Sequence, residues 1–327
     1  MFQGMILVCG EALVDLLVDP YGEDLAARPV PGGSAFNCAV GLARLGGENG
    51  FATGYLGGLS RDVFGRWLRA RLHGEGVVLA STRESTHPTR IVAVSRDASG
   101  EPDYAFYGDM VADRDLPADA LTLPVDSPVR ALVVGSFPIA LKPTGAALRA
   151  LVEREAGRRL ISLDPNLRPA LTPPDSSWRH AFEACLAHAD IVKASAADLA
   201  AGYGGAQGWG EAVVGGAADR GPVAAIVTDG GNGARLHHRD FSLTVRPPAV
   251  QVVDAVGAGD SFHAAFLAAL MSDATFVRAG LAACGPDALR FPLAYAASAA
   301  ALTCSRPGAD PPDHATIMQR IGDAHVF

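Results

Sequence analysis

Residues 252–263 read VVDAVGAGDSFH, a β-branched stretch followed by a Gly-Ala-Gly turn and the acidic residue Asp260. The apolar segment that follows, residues 261–270, is predicted to be a helix. Glycine lets the backbone turn tightly and approach a ligand closely, and the first amides of a helix have no intrahelical partner. The stretch therefore predicts an anion site at the start of a helix, with a carboxylate beside it.

The position of Asp260 suggests a chemical role. A carboxylate next to an anion site would repel a bound phosphate, so its expected use is to accept a proton from a nucleophile that attacks that phosphate. The alternative is an ordinary acidic residue at a helix N-terminus, where the helix dipole favours negative charge. Because the motif is short and the chain has 37 glycines, other sites with matching spacing are needed to decide.

Length and composition limit the possible classes. A chain of 327 residues, 49% of them hydrophobic, can bury the core of one large or two unequal domains. No apolar run approaches the roughly 18 residues that span a bilayer. A basic region followed by the apolar core of a signal peptide is also missing near Met1. We therefore expect a soluble, cytoplasmic protein that does not bind a membrane. The net charge is -8 and the chain has no basic cluster, so we expect small-molecule partners and no nucleic acid.

The five cysteines are odd in number and lack Cys-x-x-Cys spacing, so they favour neither a disulfide framework nor a zinc site. Residues 1–4 are interpreted either as the remnant of a cleaved tag, with Met5 as the natural start, or as a native extension.

Apolar runs alternate with helical patterns along most of the chain. The runs lie at 5–9, 131–134, 160–163, 191–192 and 224–227. The helical patterns lie at 34–45, 144–156, 176–187 and 196–201, the first of them ending at Gly46-Gly47. This alternation predicts an α/β fold with a mostly parallel sheet and helices on both faces.

Two segments depart from this pattern and predict antiparallel strands. One covers 12–18 and 24–31, and the other is a hairpin of 90–96 and 104–107 around a turn at 97–100. Two such insertions can meet as a lid over the strand ends, where doubly wound folds bind ligands. The predicted division is a main α/β domain of 5–11, 31–88 and 111–327 with a lid of 12–30 and 89–110.

Four further motifs lie at turns or strand ends. They are PGGSAFN at 31–37, DPNLR at 164–168, KASAAD at 193–198 and TDGGNG at 228–233. Each also has a purely structural interpretation, in order a helix-entry turn, a surface turn, a helix cap and a hairpin turn. For the helix cap, both interpretations can hold together.

In this order, and with residues 254–260, the motifs resemble those of the ribokinase-type (PfkB) carbohydrate kinases over essentially the whole chain. Within that family the chain is most similar to bacterial fructokinases. The resemblance implies a three-layer α/β/α fold with a small β-sheet lid and ATP-dependent phosphorylation of a sugar hydroxyl. The expected reaction is phosphorylation of the terminal primary hydroxyl of a ketose, fructose to fructose 6-phosphate. The resemblance also implies a homodimer formed through the lid.

The family motifs imply roles for particular residues. Asp260 is the expected catalytic base, and Gly257, Ala258 and Gly259 form the anion hole. Arg168 offers a planar fork to the transferred phosphoryl group or the substrate.

The implied sugar-binding set combines the Gly-Gly turn, lid residues and two acids: Asp15, Gly32, Gly33, Asn37, Arg90, Tyr107, Arg114 and Asp260. Asn37 can both donate and accept, as adjacent hydroxyls require. Arg114 is alternatively a solvated loop charge. Related 2-keto-3-deoxygluconate kinases commonly have an arginine after the lid tyrosine, whereas Gly108-Asp109 follows Tyr107 here. An acidic residue at this place favours a neutral ketose over a sugar acid, unless Arg90 or Arg114 compensates its charge.

The implied nucleotide set follows the last three motifs: Lys193, Ser195, Thr228, Gly230, Gly233, Ala258 and Gly259. Asp198 is expected to act on Mg²⁺ through water, because magnesium usually retains several waters. Asp254 would help to build a monovalent-cation site, with K⁺ as the candidate ion. Family members usually have threonine after that aspartate, where this chain has Ala255, so the existence of this cation site is left undecided.

Several alternatives remain at this stage. They are a kinase for 2-keto-3-deoxygluconate or another sugar acid, a nucleoside kinase, and a non-catalytic sugar-binding regulator on the same fold. Dinucleotide-binding, P-loop, zinc-protease and serine-hydrolase motifs are missing from the sequence, so those classes are excluded.

Overall fold

A computed structural model describes residues 4–19, 26–81, 83–96, 102–116, 123, 127–168, 171, 177–214, 221–271 and 277–324. Residues 1–3 and the turn predicted at 97–100 lie outside the described residues.

The described strands are β1 (Met5–Cys9), β2 (Leu13–Asp19), β3 (Ala26–Gly32), β4 (Ala52–Leu56), β5 (Leu59–Ser60), β6 (Val78–Leu79), β7 (Glu84–Ser85), β8 (Ile91–Arg96), β9 (Pro102–Tyr107), β10 (Val129–Gly135), β11 (Leu160–Asp164), β12 (Ile191–Ser195), β13 (Ala224–Thr228), β14 (Ala234–His238) and β15 (Ser242–Val245). The described helices are α1 (Ser34–Asn49), α2 (Val63–Gly74), α3 (Thr144–Glu155), α4 (Ser177–Leu186), α5 (Ala196–Tyr203), α6 (Trp209–Val214), α7 (Ala258–Met271), α8 (Arg278–Ala283), α9 (Pro286–Cys304) and α10 (His314–Ala324).

One large sheet has the strand order β15-β14-β13-β12-β11-β10-β1-β4-β6. Its strands run parallel from β13 to β6, while β14 and β15 pair antiparallel at one edge. Alternate residues of β1 enter different cores, with Ile6 and Val8 on one face and Leu7 and Cys9 on the other. The sheet is thus buried on both faces, which explains why its strands read as continuous apolar runs and confirms the predicted three-layer α/β fold.

The predicted end of the first helix is wrong. Helix α1 continues through Gly46 and Gly47 to Asn49, and Gly50 ends it in the left-handed conformation with φ of 75°. A Cβ on Gly46 would lie 2.7 Å from the carbonyl oxygen of Phe51, so this glycine allows close packing inside the helix. A glycine pair does not end a helix whose preceding turns are held by tertiary packing.

A second sheet of four strands has the order β3-β2-β8-β9. Strands β8 and β9 form the predicted antiparallel hairpin, β3 pairs antiparallel with β2, and β2 runs parallel to β8. The register places Asp15 of β2 beside Val92 of β8, and Val92 beside Phe106 of β9, so these side chains share one face. We keep the assignment of residues 12–30 and 89–110 to a separate lid as a proposal.

The chain leaves β1, builds one edge of the large sheet with β4 and β6, and returns to the other side of β1 with β10. Doubly wound sheets bind ligands at such a switch point, beyond the carboxyl ends of the strands. No helix in the described ranges is both long enough and apolar enough to cross a membrane.

Candidate active site

A cleft of about 840 Å³ lies beyond the carboxyl ends of β1, β11, β12 and β13 and is bounded by one face of the small sheet. Strand-end residues line its floor, including Glu11, Asn166, Ser195 and Thr228. The turn at 257–259 and Asp260 line one wall. The cleft therefore joins residues from all five motif regions that were predicted to carry the chemistry.

Asp260 is the third residue of α7 and is buried at this wall. Its Oδ1 accepts a hydrogen bond from Ser34 Oγ at 2.6 Å, and its Oδ2 accepts one from Asn37 Nδ2 at 2.9 Å. Both donors belong to the first turn of α1. Burial raises the pKa of Asp260 above its ordinary value, opposed by the hydrogen bonds from Ser34 and Asn37.

Helix α7 begins at Ala258, three residues earlier than predicted, so Asp260 lies inside its first turn. The amide of Ala258 donates to the carbonyl of Ala255 at 3.3 Å, whereas those of Gly259 and Asp260 have no hydrogen-bond partner within the described chain. Gly257 has φ of 75°, and a Cβ on it would lie 2.5 Å from the Cβ of Ala309. Glycine is thus required there, and the helix start at the cleft has two amides that the described residues leave without a hydrogen-bond partner.

The predicted Gly-Gly turn connects β3 to α1. Gly33 has φ of 101°, and a Cβ on it would lie 2.7 Å from the carbonyl oxygen of Glu11. A Cβ on Gly32 would lie 2.2 Å from Asp15 Oδ2, so Gly32 makes room for that carboxylate. Asp15 lines the cleft, and burial raises its pKa to about 6, opposed by the charge of Arg168. Arg168 also lines the cleft and donates to the carbonyl of Leu167.

Of the predicted sugar-binding residues, Gly32 does not itself line the cleft, and three side chains are not brought to it. Arg90 is buried and forms a two-pronged ion pair with Asp113. Arg114 donates to the carbonyl of Asp109 at 2.9 Å, which agrees with the alternative of a loop charge. Tyr107 is 60% exposed, and it is Tyr104 of the same strand that lines the cleft.

The residues of the motif at 193–198 make two kinds of contact, a helix cap and a buried ion pair. Ser195 caps α5, since its hydroxyl accepts from the amide of Asp198 at 3.0 Å while Asp198 Oδ2 accepts from the amide of Ser195 at 3.0 Å. Asp198 Oδ1 also accepts from the amide of Leu167 at 2.7 Å. Lys193 is buried and donates to Asp164 Oδ2 at 2.8 Å. Ser195, Asp198 and Lys193 all line the cleft.

The motif at 228–233 forms the hairpin turn between β13 and β14 and contributes to the cleft as well. Thr228 and Gly230 line it, whereas Gly233 lines a separate cavity on the other side of the turn. Gly233 has φ of 101°, and a Cβ on it would lie 2.0 Å from the carbonyl oxygen of Val245. Glycine is thus required by the turn, as the hairpin alternative expects, and a contact between Gly233 and the nucleotide stays a prediction.

Comparison with known proteins agrees with this geometry. The model of the pfkB family carbohydrate kinases matches residues 3–315. The chain belongs to this family. It is 35% identical to the fructokinase of Rhizobium leguminosarum bv. trifolii in an alignment of 294 residues that covers 88% of this chain and 86% of the relative. It is 36% identical to the fructokinase of Klebsiella pneumoniae in an alignment of 322 residues that covers 94% of this chain and 95% of the relative. The crystal structure of the Xylella fastidiosa fructokinase with bound ATP matches with a TM-score of 0.85 and 26% identity, over 98% of this chain and 99% of that one.

As a pfkB carbohydrate kinase, the protein is a phosphotransferase that acts on a sugar hydroxyl. Asp198 has little capacity to bind a metal ion directly, because both of its carboxylate oxygens already accept backbone hydrogen bonds. In the described part of the chain, no group of three or more His, Cys, Asp or Glu side chains could hold a metal ion. The site is compatible with a divalent ion that is held mainly by phosphates and water, whereas magnesium and its contact with Asp198 through water stay predictions.

Asp254 of this kinase lines the cleft and closes two loops. Its Oδ1 accepts from the amide of Val256 at 3.1 Å, and its Oδ2 accepts from the amide of Gly308 at 3.0 Å. The monovalent-cation site at Asp254 stays a prediction.

Sequence reasoning missed several residues of the cleft. Among them are Ser34, Asn166, Glu11, Tyr104 and Phe106. Ser34 and Asn166 lie inside the quoted motifs, so their position was a usable signal. The alternation of a strand also places Tyr104 and Phe106 on one face and Tyr107 on the other, which would have corrected the choice of tyrosine.

Proposed function

We propose that this kinase transfers the γ-phosphoryl group of ATP to the terminal primary hydroxyl of a ketose, and that its substrate is fructose, converted to fructose 6-phosphate. The observation that carries the proposal is the placement of Asp260. Ser34 and Asn37 hold its carboxylate at the cleft wall, beside the unpartnered amides of Gly259 and Asp260 itself. The carboxylate that would activate the nucleophile and the amides that would bind the charge of the transferred group thus lie side by side.

Asp260 is the proposed general base. Its Oδ1 and Oδ2 are oriented by two fixed donors, and burial raises its pKa above the ordinary aspartate value. A base is most effective when its pKa lies near the working pH. The carboxylate accepts the proton of the sugar hydroxyl as the hydroxyl oxygen attacks the γ-phosphorus.

The amides of Gly259 and Asp260 are proposed to bind the charge that develops on the transferred group. They lie at the positive end of the α7 dipole, where an anion is favoured. Arg168 supplies a planar cation at the same cleft. Because these donors are fixed before the substrate binds, little reorganisation is needed in the transition state.

Charge at the sugar end favours a neutral sugar. Glu11, Asp15 and Asp260 line this region, and Arg168 is the cation whose charge reaches Asp15. A sugar acid would meet these carboxyl groups at close range, which disfavours it. Asp109 does not contribute to this preference, because its side chain is fully exposed outside the cleft. The fructokinase names of the two relatives support fructose within the neutral sugars.

The nucleotide is proposed to bind between the 228–230 turn and Val252-Val253, two exposed apolar side chains in the cleft. Bound magnesium would neutralise phosphate charge, as in other phosphoryl transfers. Asp198 would hold one of its waters from the rigid capping box of α5.

The test is an ADP-release assay with ATP and a panel of ketoses, sugar acids and nucleosides. We expect fructose to give the highest kcat/KM and Asp260→Asn to lose activity by about 10³-fold, because the proton acceptor is removed. Preference for a sugar acid or nucleoside would overturn the fructose assignment. A folded wild type without turnover on any sugar would favour the non-catalytic regulator.

We also propose the homodimer through the small sheet. Light scattering of the full chain tests it, with twice the mass of 33.7 kDa expected and the single mass contradicting it.

A further inference from the structure

A buried ion pair lies on the cleft floor beneath the start of α7. Lys193 Nζ donates to Asp164 Oδ2 at 2.8 Å, and the two side chains are only 4% and 5% exposed. Lys193 is one of two lysines in the chain. Its Nζ lies 3.0 Å from the point that a Cβ on Gly259 would occupy, so the ammonium group is directly against the backbone of the anion-binding turn.

His263 completes the cluster as a neutral group. Its Nδ1 lies 3.7 Å from the same oxygen of Asp164, and its Nε2 lies 2.6 Å from Ser162 Oγ. Burial and the charge of Lys193 lower the pKa of His263 to about 3, so the ring is uncharged at neutral pH. The positive charge of the cluster therefore belongs to Lys193, whose pKa is raised because the nearby carboxylates of Asp164 and Asp198 outweigh the penalty of burial.

Stability alone does not explain a charge pair in this place. Desolvation of two buried charges often cancels their attraction, and apolar side chains of equal volume are commonly as stable or more stable. At the cleft the pair has a second effect, since a charge acts strongly on its neighbours where water is excluded.

The groups that face Asp260 come from four elements. They are Ser34, Asn37 and Cys38 of α1, Asp15 of β2, Asp164 and Asn166 at the end of β11, and Lys193 of β12. Ser34, Asn37 and Asn166 are neutral donors. Among the charged groups, Lys193 favours the carboxylate form of Asp260, while Asp164 and Asp15 oppose it.

We propose that Lys193 and Asp164 are positioning residues for the transfer reaction: the ammonium group keeps Asp260 ionised as proton acceptor, and Asp164 fixes the ammonium group under the Gly259 backbone. This inference rests on the proposed function of Asp260. It differs from the expectation that Lys193 belongs to the nucleotide-binding set, in which the ammonium group would contact phosphate directly. The two roles differ in what they predict for pH dependence and for ATP binding.

The test compares Lys193→Met and Asp164→Asn, which remove the two charges separately. The acid limb of kcat/KM for the sugar, at saturating ATP, reports the ionisation of the base in the free site. Loss of the cation destabilises the carboxylate, so Lys193→Met is expected to move the midpoint of this limb up by about one pH unit. Loss of the neighbouring anion acts in the opposite sense, so Asp164→Asn is expected to move it down.

Two controls separate charge from general damage. Lys193→Arg keeps the charge and is expected to restore the wild-type midpoint. Arg159→Met removes another buried cation, which lies directly before β11 and pairs with Glu155. This variant is expected to leave the midpoint unchanged. Midpoints that stay at the wild-type value in both test variants, or that move in the same direction, would overturn the proposal. So would an unchanged midpoint in Lys193→Met with a raised KM for ATP, the result expected of direct phosphate binding.

A second measurement does not depend on turnover. In protein labelled with ¹³C at the aspartate carboxyl groups, the resonance that disappears in Asp260→Asn belongs to Asp260, and its titration can be followed without substrate. The same opposite shifts are expected in the two variants, and Asp164→Asn alone still tests the sign if Lys193→Met does not fold. Failure of wild-type turnover would count against the proposed function, whereas unmoved titrations would count against the positioning role.

Discussion

Two buried ion pairs lie in different regions of this kinase. Lys193 and Asp164 lie on the cleft floor, and Arg90 and Asp113 lie at the base of the small sheet. The guanidinium group of Arg90 donates twice to Asp113 and once to the carbonyl of Gly108, and it stacks over the ring of Phe137. The ammonium group of Lys193 donates to Asp164 and also lines the cleft.

The comparison shows that burial of a charge does not define its role. A planar guanidinium group with five donors can join several segments at once, which suits the junction of the small sheet. An ammonium group is a compact charge that acts on nearby carboxylates through space. The sequence predicts that both Arg90 and Lys193 contact a ligand, and the structure places only Lys193 at the cleft.

The largest expected effect tests the structural pair. Arg90→Met leaves Asp113 buried without its partner and should lower the free energy of unfolding by about 3–5 kcal/mol. Arg114→Met, at a partly exposed side chain, should lower it by less than about 1 kcal/mol. Urea unfolding measures both. If Arg90 bound the sugar, folded Arg90→Met would instead show a raised KM for fructose with little loss of stability.

A second prediction concerns Glu11, a buried cleft acid that forms no ion pair with any cation in the described part of the chain. Its Oε1 accepts from the amide of Ser34 and from Ser136 Oγ, whereas its Oε2 has no partner within the described chain. Burial raises the pKa of Glu11 from 4.5 to about 7. The folded state thus binds a proton more tightly than the unfolded state, so this stabilisation is complete below pH 4.5 and is lost as the pH rises to about 7.

Glu11→Gln removes this titration and should therefore gain stability relative to wild type between pH 4.5 and 8, on the order of 3 kcal/mol. Thermal or urea unfolding across this range measures the difference. The exposed Glu153→Gln is the control and should follow wild type. A difference between Glu11→Gln and wild type that stays constant with pH would show that Glu11 is ionised throughout.

A third prediction addresses the capping box beside Lys193. Ser195→Ala removes the hydroxyl that accepts from the amide of Asp198, and should cost about 1 kcal/mol of stability. Ser242→Ala, at an exposed strand position, should cost nearly nothing. Equal unfolding midpoints for the two variants would mean that the cap does not stabilise α5.

The smallest effect concerns the lid face. Tyr104 lines the cleft and Tyr107 does not. Tyr104→Ala should raise the KM for fructose by about 3- to 10-fold through loss of an aromatic contact, while Tyr107→Ala should leave it unchanged. Steady-state kinetics with fructose as the varied substrate tests the pair. The reverse result would restore Tyr107 as the lid tyrosine.

Much of the fold was predictable because burial on both faces leaves a direct trace in the sequence. The apolar runs at 131–134 and 224–227 became β10 and β13, extended by one to three residues. The end of α1 was not predictable, since the packing of Gly46 against Phe51 depends on the following strand. The same limit applies to Arg90, whose partner Asp113 is distant in sequence and reaches it only after folding.

The sequence by itself determined the α/β order of elements, the glycine turn before Asp260 and the resemblance to the pfkB carbohydrate kinases. These features depend on local spacing, which the backbone translates directly into strands, turns and helix starts. The tertiary structure decided which polar groups meet. Ser34 and Asp260 are separated by 226 residues, and Asp164 and Lys193 by 29, yet each pair is in contact. Such pairings depend on which strand ends and helix starts become neighbours, and periodicity indicates a buried face without indicating what packs against it.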